Sequence, residues 1–130
     1  SLYVEYRQRQ PMTRSEHIEG LELARLTPAD VEYFFRTLLP RIPRSTGEDN
    51  RPLLDLLRSR LQDTAIYLGD PLAVNFDQTD VEKVVGSICD RLERMKRREW
   101  KATKDGTSVL KRLRIQVGEI SADLHELAAR

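Results

Sequence analysis

The stretch that decides the fold is Thr79–Ala128, TDVEKVVGSICDRLERMKRREWKATKDGTSVLKRLRIQVGEISADLHELA. Its first half carries Val81, Val85, Ile88, Leu92 and Met95 at spacings of four, three, four and three. Its second half carries Leu110, Leu113, Val117, Ile120, Leu124 and Leu127 in the complementary three-four rhythm. Residues three and four apart share a helix face, so each half predicts a continuous apolar stripe. Thr79 and Glu82 form the S/T-x-x-E capping box that opens a helix, predicted to run to about Lys101. Asp105-Gly106 predicts a turn, and Ser108 the start of a last helix to Ala128. Two helices with heptad-like seams and a short connection predict a long antiparallel helical hairpin over 79–128. Val84, Cys89, Ile115 and Ala122 add apolar groups on other faces. They predict that the pair also packs on earlier helices or on a second chain.

Working back toward the N-terminus, residues 70–78 form a connector in which Leu72, Val74 and Phe76 alternate as in a short strand, but no partner strand is evident, and an ordered loop packed on the bundle is expected. Asp49 or Asn50, with Pro52 behind it, predicts the start of a helix ending at Gly69. Leu53, Leu57, Leu61, Ala65 and Leu68 supply its face, widened by Leu54 and Leu56. The turn-rich run over 40–50 predicts an exposed loop. Thr27-Pro28-Ala29-Asp30 predicts another helix start, with Leu26 and Val31 placed as a staple and Val31, Phe34, Phe35 and Leu38 facing the core before Pro40 ends the helix. Thr13 and Glu16 form a further capping box, opening a helix over about 14–25. Ahead of it, residues 1–12 read as an extended arm anchored by Leu2, Val4 and Tyr6. The expected architecture is therefore all-α: an arm, then a single helical domain over 13–130 with about five helices.

Several function classes are excluded or left without a carrier. One cysteine, Cys89, cannot form an intrachain disulfide or supply a multi-cysteine zinc site, and it fits a reducing, cytoplasmic or otherwise intracellular setting. No apolar run reaches the length of a membrane span. The first residues, interrupted by charge at Glu5, do not read as a signal peptide. His125-Glu126 begins like a zinc-protease helix, but Ala129 stands where the second histidine is needed, and His17 is isolated. No glycine-rich phosphate loop or nucleophile elbow is present, and the paired acids at helix starts are those the dipole favours. No catalytic residue, metal ligand or cofactor site is assigned, and an enzyme is not expected.

Charge is the remaining signal. The net formal charge of +1 is a cancellation. Residues 91–114 sum to +7 and the rest of the chain to −6. Arg91, Arg94, Arg98 and Lys101 repeat at helical spacing, Arg97, Lys104 and Lys111 extend the run, and Trp100 lies among them. A basic stripe with an aromatic at a hairpin end predicts a contact surface for an acidic partner. The leading expectation is a non-catalytic protein–protein interaction or assembly module, including self-association into a homo-oligomer, using the arm, the seam and this basic end. The alternative is a nucleic-acid-binding or regulatory domain using the stripe over 91–114.

Overall fold

The structure is a computed structural model that describes residues 22–75 and 80–129. The arm over 1–12, the Thr13–Glu16 box and most of the helix expected over 14–25 lie outside those residues, as do Phe76 and Thr79. Among the described residues the protein is mostly helical. It has five α-helices, α1 (Pro28–Arg36), α2 (Arg51–Tyr67), α3 (Val81–Arg94), α4 (Arg97–Lys101) and α5 (Val109–Ala128), with short 3-10 turns and one two-stranded hairpin. The end of the expected first helix is a 3-10 turn, Leu23–Arg25, entered through Glu22 at φ 48°.

Local chemistry sets each boundary. Thr27 Oγ1 accepts from the Asp30 amide at 3.1 Å, and Asp30 Oδ2 accepts from the Thr27 amide at 2.8 Å. The cap expected at Thr27 is thus a full reciprocal box, with Asp in the usual Glu position. α1 ends at Arg36, short of Pro40, because Pro40 has no N–H to return to the Arg36 carbonyl. The chain passes instead into a 3-10 turn over Leu39–Arg41. At the start of α2, neither predicted cap is made. A 3-10 turn over Glu48–Asn50 runs directly into the helix, and Asn50 makes no side-chain capping bond. The stop at Gly69 takes the form of a Schellman motif. The Asp70 amide donates to the Ala65 carbonyl and the Gly69 amide to the Ile66 carbonyl. Gly69 sits at φ +95°, where a Cβ would be strained. Ser108 Oγ accepts from the Lys111 amide at 3.1 Å and caps α5 as expected.

Two local expectations are corrected. The helix predicted to run unbroken to Lys101 ends at Arg94, and Met95 and Lys96 adopt extended backbone before α4 begins. On a continuous helix Trp100 would lie roughly 80° around from Leu92, off the buried stripe. The break turns the indole inward, where it is 5% exposed and joins the core. Asp105-Gly106 is more than a turn. With both residues at positive φ, 52° and 81°, it closes a two-residue hairpin between β1 (Thr103–Lys104) and β2 (Thr107–Ser108). That is the type I′ geometry that Asp-Gly favours. The connector over Pro71–Asn75 is a 3-10 turn that buries Ala73.

The seam residues are buried or half-buried in one common core, which the residues of the other helices share. α2 packs on both α3 and α5, and α1 also touches both. The main partner of α5 is α2, so the predicted seam-to-seam hairpin is not found. The reason is visible in α5, where Val117, Gly118 and every residue from Ile120 to Leu124 are buried. A helix covered on nearly all sides is a central element rather than one arm of a hairpin. Of the extra apolar positions, Val84 and Ala122 are buried, Cys89 is half-buried and Ile115 is exposed. Within α2, Leu54 rather than Leu53 takes the core position, and Leu56 faces outward.

Candidate interaction surface

The basic run is divided by the break after Arg94, so Arg91, Arg94, Arg98 and Lys101 do not share one helix. Four of its cations are engaged within the protein. Arg91 Nη2 donates to Glu99 Oε2 at 2.5 Å and its Nε to the Leu68 carbonyl at 3.2 Å. Lys104 donates to the Tyr67 carbonyl at 3.0 Å and stands 4.8 Å from the Tyr67 ring centroid. Arg112 also approaches that ring, at 5.0 Å, and Arg114 Nε donates to the Leu26 carbonyl at 2.8 Å. These four residues bind the corner to the bundle.

The others face solvent. Arg94, Lys96, Arg97, Arg98, Lys101 and Lys111 are exposed and make no ion pair among the described residues. Arg94 makes only a 3.2 Å bond to the Asp90 carbonyl of its own helix. Trp100, expected among the surface groups, is instead the buried anchor beneath them. Glu99 shapes this corner. Its carboxylate accepts from Arg91 and, at 3.4 Å, from the Lys96 amide. Both bonds hold its carboxyl below the ordinary value of 4.5, the Arg91 bond more strongly. The favoured form is the anion, so the tie is intact above about pH 4.5 and fades as pH falls through the lowered value. The protection factor of the Lys96 amide, its exchange rate relative to the intrinsic rate at each pH, is expected to fall on acidification only in that lower range. A protection factor that stays constant across it would separate Glu99 from the corner's order.

Burial and the neighbouring Asp90 push the Cys89 thiol up, away from a reactive thiolate. Among the described residues no group of three or more His, Cys, Asp and Glu is placed to hold a metal ion, and no helix is long and apolar enough to cross a membrane.

Sequence reading missed two features. The first is a polar network between α2 and α5. Fully buried Asp123 accepts from Arg60 Nε at 2.7 Å, Glu119 stands 3.4 Å from Arg60 Nη2, and Gln116 donates to buried Thr64 at 3.0 Å. The second is a groove of about 620 Å³ between the 39–44 loop and the first turn of α3. The proline-rich loop and the start of α3 were both legible, but not that they face one another. Comparison with protein families, curated proteins and solved structures gives no match for this chain.

Proposed function

We propose that this chain is a non-catalytic protein-interaction module whose contact surface is the set of exposed cations from Arg94 to Lys111, and whose partner presents carboxylates. The supporting observation is that Arg94, Lys96, Arg97, Arg98, Lys101 and Lys111 reach solvent without an ion pair among the described residues, on and beside the short helix α4, whose Trp100 is buried in the core. Such a surface steers an acidic partner and sets its register. Burial of the seam residues weighs against self-association through them, because the bundle's own core already uses them. The position of Trp100 weighs against the nucleic-acid alternative. The surface offers no open aromatic face for base stacking, since the Tyr67 ring is flanked by Lys104 and Arg112.

Replacing Arg94, Arg98 and Lys101 together by Glu tests this reading. A labelled oligo-glutamate peptide is expected to bind the unaltered protein in a salt-sensitive manner. The triple variant should bind about tenfold more weakly or worse, from roughly 0.2–1 kcal/mol for each exposed pair plus new repulsion. Its melting temperature should be unchanged. DNA binding that exceeds oligo-glutamate binding would move the assignment to the alternative, and binding of neither would remove both.

A further inference from the structure

The break at Met95–Lys96 is imposed on a sequence whose local preference is for one continuous helix. Residues 91–101, RLERMKRREWK, contain no Gly, Pro or β-branched residue, and Leu, Arg, Met, Lys and Glu stand near the top of the helix scale. A continuous helix would also set Glu93 four residues ahead of Arg97, the favourable order for an ion pair. The helix ends at the break are weakly closed. Lys96, the N-cap of α4, has no side-chain oxygen to accept from an open amide. α3 closes on a 3.3 Å bond from the Met95 amide to the Leu92 carbonyl rather than on a left-handed glycine. Tertiary contacts oppose this preference: the burial of Trp100, the Arg91–Glu99 bond and the bond from Lys104 to the Tyr67 carbonyl. Local and tertiary forces therefore pull one segment toward two conformations.

The connection to α5 permits both. The Val109 amide bonds the Ala102 carbonyl at 2.9 Å, so the two ends of the β1–β2 segment lie together. Residues 102–108 hold slack, because seven extended residues span about 23 Å. Straightening α4 onto α3 carries Lys101 only roughly 10 Å beyond Arg94. The connection can follow once the two-residue strands part. On the continuous helix Arg91, Arg94, Arg98 and Lys101 fall within an arc of roughly 80°. Glu99 then lies about 12 Å along the axis from Arg91, so their bond is broken and Arg91 Nη2 joins the free cations. Trp100 leaves the core.

We propose that the corner is a two-state switch: an acidic partner draws α3 and α4 into one helix, which releases Trp100 and aligns Arg91 with Arg94, Arg98 and Lys101. This rests on the acidic-partner reading above and names the state that such a partner selects. The partner shifts the balance because it meets four aligned cations in the straight form and a divided set in the broken one. Arg97→Pro separates the two forms. In the broken form residue 97 opens α4 after extended Lys96, a position that suits proline. Inside a continuous helix proline disfavours that form by on the order of a hundredfold. Arg97→Ala removes the same charge and leaves both forms open. Trp100 is the chain's one tryptophan, so its emission and its indole N–H exchange report its release. Indole exchange without ligand, divided by that of the buried Leu113 amide to remove global opening, should be at least about tenfold slower in Arg97→Pro than in Arg97→Ala. Saturating oligo-glutamate should move the emission of the unaltered protein and of Arg97→Ala to longer wavelength and leave Arg97→Pro unmoved. Equal normalised exchange in the two variants, or peptide bound with no change in emission, overturns the switch and leaves the acidic-partner reading standing. Absence of any peptide binding removes that reading and the partner-driven switch with it.

Discussion

Replacing Trp100 with Ala is expected to cost about 3–5 kcal/mol of stability, the range for emptying a large aromatic site in a packed core. The chain has one tryptophan, and it belongs to the central cluster, in a five-residue helix that packs on α5 and cannot persist alone. For a domain of this size the loss corresponds to a fall in melting temperature of roughly 10–20 °C. Neighbouring Arg98→Ala and Lys101→Ala, at exposed positions, should stay within about 0.5 kcal/mol of the unaltered protein. Thermal unfolding followed by circular dichroism measures all three. The alternative, a surface tryptophan that stacks on bases, gives the opposite pattern: unchanged stability and about 1–3 kcal/mol lost from nucleic-acid binding. A Trp100→Ala protein that melts at the original temperature would therefore undo the account of the corner given above.

Replacing Arg60 with Met is expected to cost about 3 kcal/mol or more. Methionine keeps much of the apolar stem but removes the cation facing Asp123, which is fully buried, and Glu119. Removing one member of a buried pair leaves the other charge without that compensation, which costs far more than losing an exposed pair. Asp123→Asn combined with Arg60→Met should be less destabilised than the two single effects added together. Denaturant unfolding of the full cycle measures the coupling, expected to exceed about 1 kcal/mol. Additive effects would show that the bond at 2.7 Å contributes little beyond packing.

These two residues also mark where reading the sequence succeeded and where it stopped. Helix periodicity located α1, α2, α3 and α5 because each buries a stripe that recurs every three or four positions, and Thr27, Gly69 and Ser108 marked ends through backbone chemistry that is local. The break at Met95–Lys96 carries neither Gly nor Pro. It follows from a tertiary demand, the burial of Trp100, together with the reach of Glu99 to Arg91, eight residues away. The pairing of seams failed for a similar reason. A stripe states that a face is buried, not what buries it, and α2 competes successfully for both stripes. Arg60 and Asp123 lie 63 positions apart, so no spacing rule connects them. For the candidate surface, the sum of +7 over 91–114 counts cations without saying what each one faces. It could not separate Arg91 and Lys104, whose partners are inside the protein, from Arg98 and Lys101, which face water.

The central place of α5 has a consequence for how the chain reaches its fold. A bundle of sequential hairpins can assemble step by step, each helix docking on the one before it. Here the contacts that close the core join Thr64 to Gln116, Arg60 to Asp123 and Leu26 to Arg114, at separations of 52, 63 and 88 residues. Loops of that size must close before their contacts contribute, which slows folding relative to helical proteins built from neighbours. A chain emerging from the ribosome can dock α1 and α2 on α3, but the part of their apolar surface that α5 covers stays open until residues 109–128 arrive. During that interval the cell handles a sticky intermediate rather than a growing native structure, and nearly the whole domain becomes stable in one late event.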